Sequence, residues 1–463
     1  MSLETPEISI QQLFEEAIAS EDQLAIKEFL NDQNISDVAD LIYEFDDYET
    51  QIISHLSIHR AASVFKILDL SEQKRIIKNL PAFKSAELLN ELPPDDRVDF
   101  FEELPTGTVR ELIKTLEPAE RKITLELLGY PENSVGRLMT PDYVYVYEYN
   151  TVKEVLETIR RWGTNSETID VIYVINGKGE LIDDIRIRDF ILAAPDAKVS
   201  DLTDERFISL KVNDDQEMAG QVFKMNNRVA LPVTDDKNIL LGIVTIDDML
   251  WVAQEEYTED IQKIGGTEAL DEPYLDISIP KLVKKRASWL VILFLSEMLT
   301  ATAMQYFQKE IEAATVLALF IPLIMSSGGN SGSQASTLII QAMALGEVTL
   351  ADWWRVMRRE LISGFILGVI LGSIGYFRIV LWQNLHIFDY GIYWRPVAAT
   401  IFFSLIGIVL WGSLMGSMLP IILKKLKFDP AASSAPFVAT LVDVTGIVIY
   451  FSVAYLFLKG ILL

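Results

Sequence analysis

Along residues 1–135 apolar positions come in short bursts separated by polar ones. Leu56, Leu68, Leu80, Leu92, Leu104 and Leu116 recur every 12 residues, and Pro81, Pro93 and Pro105 follow three of them. Proline tolerates the first turn of a helix, where its missing N–H has no partner to lose. Segments such as "LPPDDRVDFFEELP" and "LEPAERKITLELL" therefore predict short helices with Pro-marked starts. Two units make a helical hairpin of about 24 residues, and stacked hairpins bury a shared core as a small α-superhelix. No catalytic constellation falls in this region.

The period changes over 136–262. "YVYVYE" and "VIYVING" read as strands, and "TVKEVLETIRRWG" reads as a helix. The order then repeats, giving two βαββα copies, about 136–199 and 200–262. Each holds a first strand, a helix, a hairpin and a closing helix. The hairpins turn at Gly177-Lys178-Gly179 and at Asp235-Asp236-Lys237-Asn238. The pair resembles a tandem CBS domain, and such modules bind adenosyl nucleotides. The second copy carries G-x-x-T-x-x-D at Gly242, Thr245 and Asp248, where the first has Asp183, Arg186 and Asp189. By that resemblance Arg188, Asp189, Thr245 and Asp248 are candidate contacts for ATP as a regulator.

From about residue 288 the pattern is almost continuously apolar. Runs at about 288–307, 313–343, 361–383, 396–423 and 436–458 reach or exceed the ~20 residues that span hydrocarbon. Lys284, Lys285 and Arg286, then Arg355, Arg358 and Arg359, then Lys424, Lys425 and Lys427 all fall on one side of five such spans. The positive-inside rule puts that side in the cytoplasm. The expectation is a multi-pass protein of the inner (plasma) membrane, with a cytoplasmic N-terminus and an external C-terminus. No signal peptide precedes "MSLETPEISI". Between the soluble and apolar parts, 263–287 reads as a connecting helix after the break at Gly265-Gly266, acidic first and basic last. The fold expected is multidomain: an α-helical superhelix, α+β tandem CBS domains, a connecting helix, and a five-helix membrane domain over 288–463.

Charge sharpens the division. The net charge of −26 is the sum of −31 over residues 1–280 and +5 over 281–463. An acidic surface repels nucleic acid and attracts cations. The chain has no cysteine and three histidines, His55, His59 and His386, so thiolate chemistry and His-ligated transition metals are poorly supported. No nucleophile–base pair or phosphate-binding loop appears, and an enzyme is not expected.

Two features in the apolar part carry chemistry. Asp443 lies midway along "PFVATLVDVTGIVIYF", with Pro436, Ala439, Thr440 and Gly446 on its helical face. A carboxylate at this depth costs ~2.5–3.5 kcal/mol on insertion scales and marks a functional site. Glu297 is the other acid deep in a span. The second feature is "IPLIMSSGGNSGSQAST". Pro322 and Gly328-Gly329-Asn330 are expected to break the second span and, with Gln334 and several serines, to line a path. Carboxylate, hydroxyl and carbonyl oxygens suit Mg2+, Ca2+ or Mn2+. One acid per pore helix cannot cage an ion. Two copies on a two-fold axis would bring two Asp443 side chains to a largely hydrated Mg2+.

With these residues in place, the chain resembles the MgtE family of magnesium channels over essentially its whole length. The family's GGNxGxQ segment appears as Gly328-Gly329-Asn330-Ser331-Gly332-Ser333-Gln334, and its PxVATxxDxxG pattern runs from Pro436 to Gly446. Ala435 stands where the family pattern often has Asn. The resemblance implies a homodimer that passes Mg2+ along its axis past Asp443. It also implies closure when cytosolic Mg2+ bridges acidic faces. The sensing set it implies is Asp95, Asp99, Asp235, Asp236, Asp247, Asp248, Glu255, Glu256, Glu259, Glu268, Asp271, Asp276 and Asp429. Two alternatives stay open: an ion-coupled carrier for Mg2+, Mn2+ or Co2+, and a membrane regulator that senses nucleotides.

Overall fold

The computed structural model describes residues 9–20, 22–270, 272–275 and 277–462. The chain divides into two compact units, residues 1–255 and 256–463. Asp271 and Asp276 lie outside the described residues.

The first unit opens with ten short helices among the described residues, from α1 (Ile10–Ala19) to α10 (Pro118–Leu127), including α5 (Ile58–Lys66) and α8 (Pro94–Glu102). Pro81, Pro93 and Pro105 each occupy an N-cap. The 12-residue leucines converge as expected of stacked repeats: Leu56, Leu68, Leu80, Leu92 and Leu116 share one core, with Leu104 packed against it. Arg97 of α8 is fully buried and ties that helix to its neighbours. It donates to Thr124 Oγ1 (2.9 Å), the Leu89 carbonyl (3.0 Å) and Glu120 (2.6 Å).

After the short α11 (Val135–Leu138) the two βαββα copies follow. The first is β1 (Tyr143–Tyr147), α12 (Val152–Trp162), β2 (Thr168–Ile175), β3 (Leu181–Arg186) and α13 (Ile187–Leu192). The second is β4 (Leu210–Lys211), α14 (Gln216–Asn226), β5 (Ala230–Thr234), β6 (Leu240–Thr245) and α15 (Ile246–Ile264). In each three-stranded sheet the first pair is parallel and the hairpin antiparallel. The capping box Thr151/Glu154 starts α12. The copies join at their hairpin tips, where the Leu181 N–H donates to the Asn238 carbonyl (2.9 Å) and the Leu240 N–H to that of Gly179 (3.1 Å).

Among the described residues, the second unit holds five helices long and apolar enough to cross a membrane. They are α16 (Ile279–Tyr306), the segment from α18 (Thr315–Ala318) into α19 (Ile321–Ala344), α20 (Trp353–Asn384), α21 (Trp394–Lys425) and α22 (Ala435–Leu458). The short α17 (Gln308–Ala313) links the first two. The described residues between 265 and 278 are not helical. The connecting helix expected over 263–287 is instead a loop followed by the first turns of α16. Gly265-Gly266 stops α15, and Pro280 in the first turn of α16 restarts the helix.

A second correction concerns the second span. Helix α19 runs unbroken through Gly328-Gly329-Asn330, and Pro322 sits harmlessly in its first turn. The irregular backbone lies earlier, at Leu319–Phe320, and the Tyr450 hydroxyl donates to the Leu317 carbonyl there (2.9 Å). The glycines serve close packing. A Cβ at Gly412 of α21 would land on the Gly328 carbonyl oxygen, and one at Gly416 on that of Gly332. The neighbouring hydroxyls satisfy backbone and each other: Ser331 with Ser413 (2.7 Å), Ser336 with the Ser433 carbonyl (2.9 Å), Ser333 with the Ala435 carbonyl (3.0 Å).

Candidate cation sites

Helix α22 is capped by Ser434, whose Oγ accepts from the Phe437 N–H (3.4 Å) and from Trp289 Nε1 (2.9 Å). Two turns on, Asp443 is half-exposed and has no hydrogen-bond or ion-pair partner among the described residues. It stands beside Gly329 of α19: a Cβ there would lie 3.3 Å from the Ala439 Cβ and 3.9 Å from Asp443 Oδ1. Gly329 thus keeps space open in front of the carboxylate. Pro436, Ala439 and Thr440 are also partly exposed. Along α19, Asn330 and Gln334 are exposed on the same row as Ser326, with Asn330 Nδ2 donating to Ser326 Oγ (3.4 Å).

Two residues expected on this face are elsewhere. Gly328 is wedged between Ile408 and Val442, and Gly446 is buried against Met325 and Ile408. Both are packing glycines. A period of 3.6 puts Gly446 on the broad face of Asp443, but α21 occupies that side.

The loop after α15 is pinned to the start of α22. Gly266 adopts φ +76°, and a Cβ there would meet Trp289 Cδ1 at 2.9 Å and Pro436 Cγ at 3.2 Å. Lys263 pairs with Asp429 (2.6 Å) and with Glu259, so two expected sensing acids share one resident cation. Asp429 also accepts from the Ala431 N–H (2.8 Å), and Glu268 accepts from Ser288 Oγ (2.5 Å). Glu256 lies partly buried on the same helix as Glu259.

The strongest concentration of charge lies within the first unit. Asp95, Asp96 and Asp99 of α8 face Asp247, Asp248 and Glu255 of α15, with Glu167 nearby. Lys66 of α5 reaches Asp96 at 3.3 Å. Asp95 is buried, and its Oδ1 has no hydrogen-bond partner among the described residues. Burial, then the neighbouring charges of Glu255 and Asp96, pushes Asp99 up to about 7. Asp248 is also pushed up to about 7, by burial first and Asp247 next among the raising effects, despite accepting from Thr245 Oγ1 (2.7 Å). Burial and then Asp248 raise Asp95 well above the usual carboxylate range. For Asp96, burial outweighs the Lys66 contact and the pKa is again raised. Spacing along the chain missed Asp96, Glu167 and Lys66. The doublet Asp95-Asp96 was visible, but which elements it faces was not.

Other expected residues do not join this cluster. Asp235 shapes its own turn, accepting from the N–H groups of Lys237 and Ile239 (both 2.8 Å), and Asp236 is exposed beside it. Of the nucleotide candidates, Thr245 and Asp248 bond each other, and Asp248 is turned toward α8. Arg188 and Asp189 are exposed and pair loosely at 3.7 Å. Asp183 is committed to a loop, accepting from the N–H groups of Asp184, Asp204 and Glu205.

The raised values give a signed expectation. Unfolded, these carboxyls titrate near the ordinary value of about 3.9. Folded, Asp248 holds its proton up to about 7, whereas Asp99 is exposed at the surface, where water screens its neighbours. The contribution of Asp248 to stability is therefore fullest below about pH 4 and is lost as pH rises through 7. In chelator, the melting temperature of the solubilised chain should fall by roughly 5 °C between pH 5 and pH 8. Mg2+ should restore most of that loss at pH 8 and little at pH 5. A melting temperature that rises with pH, or a Mg2+ effect that is larger at pH 5, would contradict this reading of the cluster.

Comparison with known proteins gives a consistent picture. Residues 321–453 match the family model MgtE, described as a divalent cation transporter. Residues 33–133 match the MgtE intracellular N domain, and 135–196 and 199–255 each match the CBS domain. The magnesium transporter MgtE of Thermus thermophilus is 39% identical over 346 residues, 75% of each chain. That of Bacillus subtilis is 30% identical over 349 residues, again 75% of each. Among solved structures, the cytosolic domain of the Mg2+ channel MgtE in complex with ATP aligns with TM-score 0.50 and 33% identity, covering 52% of this chain and 98% of that one. The soluble part of a magnesium transporter aligns with TM-score 0.51 and 27% identity, covering 53% and 98%.

Proposed function

The chain belongs to the MgtE family, a family of transporters rather than enzymes, and from that premise we propose that two copies form a Mg2+ channel across the inner membrane, closed by cytosolic Mg2+. The observation that carries this is Asp443: a bare, half-exposed carboxylate in an apolar helical unit, with Gly329 holding space open before it. In lipid such a group is costly. A second copy laid against the exposed row Ser326, Asn330 and Gln334 would cover polar surface that hydrocarbon cannot satisfy. It would also bring a second Asp443 to the same path. Mg2+ gives up its waters reluctantly, so one or two carboxylates acting through those waters suit it. The flanking carbonyls and amides orient the hydrated ion.

The gate would use the first unit's carboxylates. Asp95, Asp99, Asp247, Asp248 and Glu255, with Asp96 and Glu167, repel one another when no metal is present. A divalent ion relieves that repulsion and holds α8 against α15. Glu256, Glu259, Glu268 and Asp429 would add a second acidic group near the start of α22, with Lys263 as the cation to be displaced or shared. The same basic residues that bracket the spans favour a cytoplasmic N-terminus. An adenine nucleotide would act as a regulator, through Arg188 and Asp189 rather than through Asp248, which already serves the acidic cluster.

A planar-bilayer recording of the purified chain tests the channel reading. Unitary Mg2+ currents that vanish as Mg2+ on the cytoplasmic side is raised are expected. Uptake with no unitary events and a dependence on a co-transported ion would mean a carrier instead.

A further inference from the structure

Glu297 lies within α16, one of the helices long and apolar enough to cross a membrane, and the path described above leaves it unused. Helix α16 runs alongside α22 in the same direction. Trp289 meets Ser434 and Phe437 at one end, and Phe307 stacks on Phe451 (4.8 Å between rings) at the other. At 1.5 Å per residue, Glu297 lies ~12 Å beyond Trp289 and Asp443 ~9 Å beyond Phe437, a difference of less than one helical turn. The two carboxylates are thus level along the paired helices. Neither has a hydrogen-bond or ion-pair partner among the described residues.

Glu297 is itself exposed. On α16, Trp289, Ser296, Thr300 and Phe307 fall on the face that packs on α22, and Glu297 sits at its edge. Leu290, Val291, Phe294, Leu295, Met298 and Leu299 are exposed on the remaining surface. Thr300, one turn beyond Glu297, is the buried residue of this helix, yet its Oγ1 has no hydrogen-bond partner among the described residues. A hydroxyl left unsatisfied in an apolar seam is costly, so a hydrated species is the fitting partner for it. Two level carboxylates without a cation repel; a passing divalent ion removes that repulsion.

We propose that Glu297 is a second acid of the cation path, acting with Asp443 on the hydration shell of the ion and setting its preference for divalent over monovalent cations. This rests on the reading of Asp443 as the pore acid. A carboxylate attracts a divalent ion twice as strongly as a monovalent one at equal distance, so losing one charge should cost selectivity as well as affinity.

The test compares full-length variants in proteoliposomes. Glu297→Gln should raise the half-saturating Mg2+ concentration about tenfold and lower Mg2+ over K+ selectivity by a similar factor, with Glu297→Asp largely restoring both. Because the chain has no cysteine, Glu297→Cys supplies a single thiol. It should react with a membrane-impermeant cationic thiosulfonate, more slowly when Mg2+ is present. If Glu297→Gln stays within about twofold of the parent on both measures while Asp443→Asn is silent, Glu297 is outside the path and the Asp443 reading stands. A thiol at 297 that resists the reagent would overturn the proposal even if Glu297→Gln fails to assemble. Full flux in Asp443→Asn would instead remove the premise.

Discussion

Asp443→Ala and Asp443→Asn are expected to carry no measurable Mg2+ flux while folding and assembling as the parent does. The second half of that expectation is what makes the first informative. Asp443 has no hydrogen-bond or ion-pair partner among the described residues, so its removal breaks no hydrogen bond and leaves no buried charge behind. Taking an ionised group out of a membrane helix relieves ~2.5–3.5 kcal/mol on insertion scales. The variants should therefore be at least as stable as the parent, and a lost flux cannot be blamed on misfolding. A structural acid would behave oppositely: its partner would be stranded, the melting temperature would fall, and flux would decline with the amount of folded protein. Uptake assays in proteoliposomes, normalised to the monodisperse fraction, separate the two. Flux within about twofold of the parent would remove Asp443 from the path, since a pore acid contributes a local attraction worth far more than a factor of two to a divalent ion.

How far the sequence carried this reading depended on whether a property is local. The 12-residue leucine spacing, the period-2 strands and the long apolar runs are local, and the helical repeats, both βαββα copies and five spans follow from them. Asp443 was legible for the same reason: an acid in a long apolar run needs no knowledge of its neighbours. The Gly/Ser run of α19 was misread because one composition serves two purposes. Small residues can break a helix or let another backbone approach, and only the presence of Gly412 and Gly416 opposite Gly328 and Gly332 decides between them. The connecting segment failed for a related reason. Lys281 to Arg286 has helical composition, but it extends α16 rather than forming a separate helix. The acidic cluster was half legible. Asp95 and Asp99 share a face by spacing, whereas Glu167 and Lys66 come from other elements and no period links them to α8.

Removing the cluster's ligands should uncouple flux from internal Mg2+. Asp95 and Asp99 on α8 face Asp248 and Glu255 on α15. A combined Asp95→Ala, Asp99→Ala, Asp248→Ala variant deletes carboxylates from both sides. Two opposing terms then change. The repulsion that keeps the elements apart in the absence of metal falls, which favours closure. The oxygens that a divalent ion would bridge also disappear, and with them the dependence of closure on that ion. The second term should dominate at high Mg2+, because metal binding is what selects the closed state there, and a ligand shifts an equilibrium only through its differential affinity for the two states. The variant should stay open at internal Mg2+ that closes the parent, with the half-closing concentration raised at least ~tenfold, equivalent to ~1.4 kcal/mol of lost coupling. Asp235→Ala is the matched control, since Asp235 is committed to its own turn and should leave the curve where it is. An unchanged curve in the triple variant would sink the gate. A shift as large in Asp235→Ala would show instead that overall negative charge, rather than the α8–α15 pairing, sets the response.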